Sequence, residues 1–269
     1  MIQNPIFRHL LHGLVAAFLF FSGAKAQGNV VETELIRYVR SCPAEIGVAV
    51  LTDTKDTICI NNEVPYPMNS VMKLYQAMAV AAVLQAQGRS LDSLLLIKQE
   101  ELHPQTYSPM REAYPSGDFQ LSIADLLKYS LQPSDNNACD ILYDRVVGME
   151  ATEKYIQNLG IKNFAIRVNE RDMYEDNVAS YENWNHPLSA ALLIDKLFTQ
   201  PLYEPVYQNF LTETLISCHT GQNRLAKPLL PQGAVIGHKT GTGFPSPNGL
   251  PQGINDVGFV RLPNGRHYA

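Results

Sequence analysis

The sequence predicts an α+β fold, an α/β sandwich in which one antiparallel sheet is built from both ends of the chain and a helical lobe is inserted between them. Two observations lead there. Strand-like hairpin patterns occur only near the two ends, and the long middle of the chain carries helical periodicity interrupted by capping and turn residues. A third concerns size: 269 residues with 45% hydrophobic content can bury a large core, as one domain or two interleaved lobes.

Residues 1–26 read as an export signal. Arg8 and His9 precede the apolar run Leu14 to Phe21, and Ala24-Lys25-Ala26 offers small residues at a cleavage site before Gln27. The run is shorter than the ~20 apolar residues a membrane span needs, and no second stretch approaches that length, so no stable span is expected after cleavage. The formal net charge is −5 and no Lys or Arg run occurs, which argues against a nucleic-acid surface. Cys42, Cys59, Cys139 and Cys218 form neither a CxxC nor a Cys/His cluster, so no metal is expected, and the sequence assigns no pairing among them. Cys139 falls inside a helical pattern as a small buried hydrophobe.

Along the chain, Val31 to Arg40 reads as a first helix, followed by a hairpin of Glu45 to Thr52 and Thr57 to Ile60 around Asp53-Thr54-Lys55-Asp56. The Ala-, Leu- and Met-rich run Val71 to Ala86 is a helix that stops near Gly88. Pro67 and Asn69 keep it from extending backwards, placing Ser70 in its first turn. Leu91 to Ile97 is ambiguous, and His103 to Ser116 is a polar, proline-punctuated excursion. Ser122-Ile-Ala-Asp125 matches a capping box opening a helix to about Leu131; after the turn Gln132 to Asn136, helical periodicity resumes from Asn137 to Val147. Glu150 to Leu159 is a helix closed at Gly160 by a left-handed cap. Ile161 to Pro187 is the least regular part, and a compact irregular segment of this kind is often functional. Helices Ala190 to Phe198 and Tyr203 to Ser217 follow. Ala234 to Thr240 and Asp256 to Leu262 are strands flanking the loop Gly241 to Gly253, and a third strand starts at Arg266 after the turn Pro263-Asn264-Gly265. The α+β lobe is thus assigned to about 27–66 and 220–269, the helical lobe to about 67–219.

Four polar signals stand out. At a helix mouth, Ser70 has free backbone N–H groups around it and Lys73 one turn on along the same face, a nucleophile with a base candidate. Ser134-Asp135-Asn136 sits in a helix–helix turn, where side chains project from a fixed base, although these are also ordinary turn formers. Lys239-Thr240-Gly241 ends a strand, with Gly241 and Gly243 leaving room for a ligand against the backbone. Glu170 lies in the irregular segment and becomes a general-base candidate if it reaches Ser70, because a serine ester must be cleared by water. No G-x-S-x-G elbow surrounds any serine, so a hydrolase built from this chain would use Lys or Glu as its base.

Ser70-Val-Met-Lys73, Ser134-Asp135-Asn136 and Lys239-Thr240-Gly241, in that order, are the three motifs known from penicillin-binding proteins and class A β-lactamases. From about residue 30 onward the chain resembles the class A serine β-lactamases, within them the branch found in Bacteroides-like bacteria and the extended-spectrum enzymes near it. The resemblance implies the β-lactamase/transpeptidase-like fold and hydrolysis of penicillins and cephalosporins, hence antibiotic resistance, by a periplasmic monomer without cofactor. It implies Ser70 as nucleophile, Lys73 as its base directly or through water and Glu170, and Glu170 as the deacylation base. Ser134 would protonate the leaving nitrogen, and the N–H groups of Ser70 and Thr242 would form the oxyanion hole. It further implies Asn136 on the substrate's acylamido group, Asp135 and Gly241 as structural residues, and Lys239, Thr240 and Thr242, with Arg224, on the substrate carboxylate side. Tyr107 would line the entrance.

The chain departs from the family around Glu170. Arg171-Asp172-Met173-Tyr174 replaces the usual x-x-Leu-Asn, and Val168 stands where an arginine ordinarily closes the loop by a salt bridge. With the Gly241 to Gly253 insertion, these departures point to a broadened cleft and a preference for cephalosporins. The resemblance also implies that the final strand and a C-terminal helix are missing, so that the chain as it stands would fold poorly. A D-alanyl-D-alanine peptidase or transpeptidase shares the first three motifs, as does a β-lactam-binding sensor that stays acylated.

Overall fold

The computed structural model describes residues 26–245 and 249–269. The export signal, save its last residue, lies outside them. Helix α1 (Ala26–Ser41) starts earlier than its apolar spacing predicts and lays Val31, Leu35 and Val39 against Ile60 of a hairpin formed by β1 (Val48–Leu51) and β2 (Thr57–Ile60). From the other chain end come β8 (Val235–Thr242), β9 (Ile254–Arg261) and β10 (His267–Tyr268), paired antiparallel in the order β10-β9-β8. Two backbone bonds between Leu51 and Ala269, both 2.8 Å, and one from Asp53 N–H to His267 O at 3.0 Å join the two groups. The result is the expected five-stranded antiparallel sheet. One expectation is corrected: His267 to Ala269 already occupy the place of the final strand, between the hairpin and β9, because their backbone groups find partners on both sides.

Alternation along β9 sends Phe259 to one face and Val260 to the other. On the first face Phe259 stacks on Phe198 of α8 (Pro187–Thr199) at 4.7 Å, and α8 lies across β1 and β9. On the second, Val260 and Ile236 pack with Ala226 and Leu229 of the short helix α10 (Ala226–Leu229). Gly237 of β8 faces Phe198 so closely that a Cβ there would collide with the ring.

The helical lobe is organised around α2 (Met72–Ala86), which is buried on almost every side, including Lys73 and Gln76. Such a helix is a core element rather than an amphipathic one. Around it pack α4 (Ile123–Leu131), α5 (Asn136–Arg145), α6 (Met149–Asn158) and α9 (Pro205–Ile216). Of the capping box expected at α4 the N-cap half forms, Ser122 Oγ accepting from Asp125 N–H at 3.0 Å, while the Asp125 carboxylate meets the Ser122 hydroxyl at 2.6 Å rather than its backbone N–H; α6 ends where Gly160 takes φ +82°. The ambiguous Leu91 to Ile97 contains β4 (Leu94–Ile97), paired with β5 (Phe119–Ser122). Within the polar excursion lies α3 (Pro109–Ala113), while Ile161 to Pro187 holds β6 (Phe164–Ala165), α7 (Glu170–Glu175) and β7 (Trp184–Asn185). Strand β7 also pairs with β3 (Tyr66–Pro67), the lead-in to Ser70.

Because Phe198 fills the space above Gly237, a Gly237→Ala variant should lose about 1–3 kcal/mol of stability through overpacking, read as a lower thermal midpoint. An unchanged midpoint would show that the ring gives way freely.

Candidate active site

Strand β3 delivers the chain to Asn69, which adopts φ +48°, and a single 3-10 turn, Asn69–Val71, then leads into α2. Ser70 stands in that turn and Lys73 follows one turn later. The Lys73 side chain is 0% exposed, and five oxygens surround its ammonium: Ser70 Oγ at 3.2 Å, Glu170 Oε1 at 2.9 Å, Asn136 Oδ1 at 2.7 Å, Ser134 O at 2.8 Å and Ser134 Oγ at 3.3 Å. A buried ammonium is tolerable only with such compensation.

The turn between α4 and α5 supplies Ser134, at φ +68°, and Asn136. Asp135 is fully buried and fixes that turn. It caps α5 by accepting from Ala138 N–H at 2.9 Å, and it also accepts from Met110 N–H at 2.7 Å and from Ser108 Oγ at 2.9 Å. Burial pushes the Asp135 carboxyl up, and the N–H bonds oppose the shift. Asn136 Nδ2 donates to Thr106 Oγ1 at 2.8 Å, so its Oδ1 is directed at Lys73.

Strand β8 brings Lys239 to the other side of Ser134, its Nζ 2.9 Å from Ser134 Oγ and 2.9 Å from Thr240 O. Burial, followed by the positive charge of Lys73, lowers the Lys239 pKa to about 7. The Thr240 hydroxyl meets that of Thr220 at 2.7 Å. Arg224 reaches along the strand end, Nη2 donating to Thr242 Oγ1 at 2.6 Å and Nη1 to Gly241 O at 3.1 Å. Gly243 N–H bonds Gly253 O at 2.8 Å, and free and bonded positions alternate along an antiparallel pair, so the Thr242 N–H turns away from β9.

Glu170 opens α7, whose first turn is held by a reciprocal cap between Asn169 and Asp172. It is buried, and the Ser70 hydroxyl donates to its Oε1 at 3.5 Å. Asp140 of α5 accepts from Glu170 N–H at 2.8 Å and Arg171 N–H at 3.0 Å, one oxygen for each. Burial and the neighbouring Glu170 charge raise the Asp140 pKa to about 7. The loop that lacks its arginine at Val168 is closed by Asn183, which accepts from Arg167 N–H at 2.7 Å and Val168 N–H at 3.1 Å and donates to Val168 O at 2.8 Å. Arg167 pairs with Glu153 at the loop's outer side. Met173 is buried at the cleft wall, and Tyr174 Oη donates to Gln105 Oε1 at 3.1 Å while its ring faces His103.

All the residues singled out by the sequence therefore converge. Ser70, Tyr107, Ser134, Asn136, Glu170, Arg224, Thr240 and Thr242 line one cleft of about 370 Å³, joined by Phe244 from the insertion, with Lys73 and Lys239 beneath it. A model of the β-lactamase enzyme family matches residues 30–269. The chain belongs to that family. It is 40% identical over 242 residues to a β-lactamase of Phocaeicola vulgatus, covering 89% of this chain and 75% of the relative. Its fold matches the crystal structure of the TLA-3 extended-spectrum β-lactamase with TM-score 0.86 at 35% identity, covering 90% of this chain and 88% of the other. It also matches a class A β-lactamase from Bacteroides cellulosilyticus with TM-score 0.83 at 35% identity, covering 88% and 85%. This is a class A serine β-lactamase, which opens the β-lactam ring through a serine acyl-enzyme.

Sequence reasoning missed the supporting residues of this β-lactamase. Asp140 and Asn183 hold the Glu170 loop, and Thr106, Ser108 and Thr220 hold site side chains. Among the described residues no group of His, Cys, Asp or Glu is placed to hold a metal, no helix is long and apolar enough to cross a membrane, and all four cysteines are free.

Between the ordinary carboxylate value near 3.8 and about 7, folded Asp140 keeps a proton that the unfolded chain has released, so its contribution to stability falls as pH rises through that window. An Asp140→Asn variant lacks this slope. The wild type should lose stability relative to the variant between pH 4 and pH 7 and show no further loss above that, by at most about 1.4 kcal/mol per unit crossed, read from urea midpoints. A gap that does not change with pH would place the Asp140 titration elsewhere.

Proposed function

We propose that Ser70 attacks the β-lactam carbonyl and that Glu170 clears the resulting ester with water. The observation that carries this reading is the buried Lys73 ammonium touching Ser70, Ser134 and Glu170 at once. On attack the Ser70 proton passes to Lys73 or Glu170, both within reach of its Oγ. A lysine acting as base must first be neutral, and Glu170 at 2.9 Å is the acceptor for the proton it gives up. The Ser70 and Thr242 N–H groups receive the developing oxyanion. Ser134, between Lys73 and Lys239, passes a proton to the departing lactam nitrogen and is resupplied from either lysine.

Asn136 holds the substrate's acylamido group, and the substrate carboxylate lies against Thr240 and Thr242 with Lys239 and Arg224 behind them. Tyr107, 57% exposed, lines the entrance. Asp135 and Gly241 keep the turn and the strand in place. Glu170 then activates water on the ester, and its place 3.5 Å from Ser70 Oγ weighs against a peptidase that clears its acyl-enzyme slowly. The enzyme is exported by residues 1–26 to the periplasm and acts as a monomer, a reading that fits a cleft lined by one chain alone.

The Gly241 to Gly253 insertion and the Met173-Tyr174 wall favour cephalosporins over penicillins. Steady-state kcat/KM values for the two classes should show this, and comparable penicillin turnover with no cephalosporin hydrolysis would end it. Ser70→Ala should form no penicillin adduct while staying folded, whereas Glu170→Gln should acylate and remain acylated. Mass spectrometry after a brief penicillin exposure separates these outcomes, and a rapidly cleared adduct on Glu170→Gln would remove that residue from deacylation.

A further inference from the structure

A side chain of the sheet fastens the backbone that carries the nucleophile. Asn255 of β9 donates from Nδ2 to Pro67 O at 2.8 Å and to Met68 O at 3.1 Å, the two carbonyls that lead into Ser70. In register Asn255 stands opposite Gly241, and there the lead-in crosses the strand pair so closely that a Cβ on Gly241 would collide with Met68 O. Gly243 and Gly253 leave room in the same way for the Asn69 side chain. The main-chain oxygen of Asn255 accepts from Arg224 Nη1 at 2.6 Å, and Arg224 Nη2 in turn holds the Thr242 hydroxyl. One residue thus touches the Ser70 side through its amide and the Thr242 side through Arg224.

We propose that Asn255 is a positioning residue for the oxyanion hole. The two N–H donors belong to separate elements, the turn before α2 and the end of β8, and their spacing is set by how the lead-in sits on the hairpin. Asn255 fixes that seat because a single amide nitrogen with two hydrogens satisfies two carbonyls at once. A carboxylate of the same shape offers only acceptors and would repel both. This proposal rests on the acyl-enzyme reading of the site, and it adds a requirement that the family's three motifs do not contain.

The test uses the full chain in a Glu170→Gln background, acylated with penicillin, and reads the infrared stretch of the ester carbonyl. That band moves to higher wavenumber when hydrogen bonding to the carbonyl weakens. Asn255→Asp should shift the band upward and slow acylation on the order of a hundredfold, with substrate KD changed little, because displacement of a donor acts on the transition state. Asn255→Gln keeps both donors on a longer arm and should give a smaller shift in the same direction, so it carries the test if the Asp variant fails to fold. A band and acylation rate unchanged from the parent in a folded variant would overturn the proposal, as would lost stability with the band unmoved. If the parent Glu170→Gln forms no adduct at all, the acyl-enzyme reading itself falls, and with it this inference.

Discussion

A buried ammonium dictates the arrangement of everything around it. Taking Lys73 out of water costs several kcal/mol unless oxygens replace the lost hydration, and they come from four residues on three segments: Ser70 of its own helical lead-in, Ser134 and Asn136 of the α4–α5 turn, and Glu170 of α7. Each of these segments is in turn pinned by something else, the turn by Asp135 and the α7 loop by Asp140. Among the described residues the second lysine has no carboxylate within ion-pair distance. Burial and the Lys73 charge bring the Lys239 pKa down to about 7, so the cleft combines one ion-paired cation with one that titrates near neutrality.

Much of the site was legible because its residues lie at punctuation points of the chain. A serine at a helix mouth, a polar turn between helices and a lysine at a strand end announce themselves by the local patterns they interrupt. For the same reason the boundaries of α4 could be read from Ser122 and the end of α6 from Gly160. Asp140 could not be found this way. It lies in the middle of α5, where a carboxylate at helical spacing normally faces water, and only the packing of α7 against α5 turns it inward. Asn183 and Asn255 were silent because their partners are backbone groups, which look alike at every position in a sequence.

The short strands were also beyond periodicity. Two-residue pairings such as β3 with β7 span too few residues to alternate, and β4 with β5 depends on a partner more than twenty residues away. Where the usual arginine is missing at Val168, the sequence signalled an altered loop but not its replacement. The replacement is a neutral amide, Asn183, that bonds three backbone groups. Such a closure carries no net charge, so ionic strength has little hold on it.

The place of residues 267–269 between the N-terminal hairpin and β9 bears on how the molecule assembles. Leu51 and Asp53 emerge early in synthesis, yet the groups that complete their hydrogen bonding follow only after the whole helical lobe. Closure of the sheet is therefore the most non-local event in folding, and the N-terminal hairpin keeps an open edge until residues 267–269 reach it.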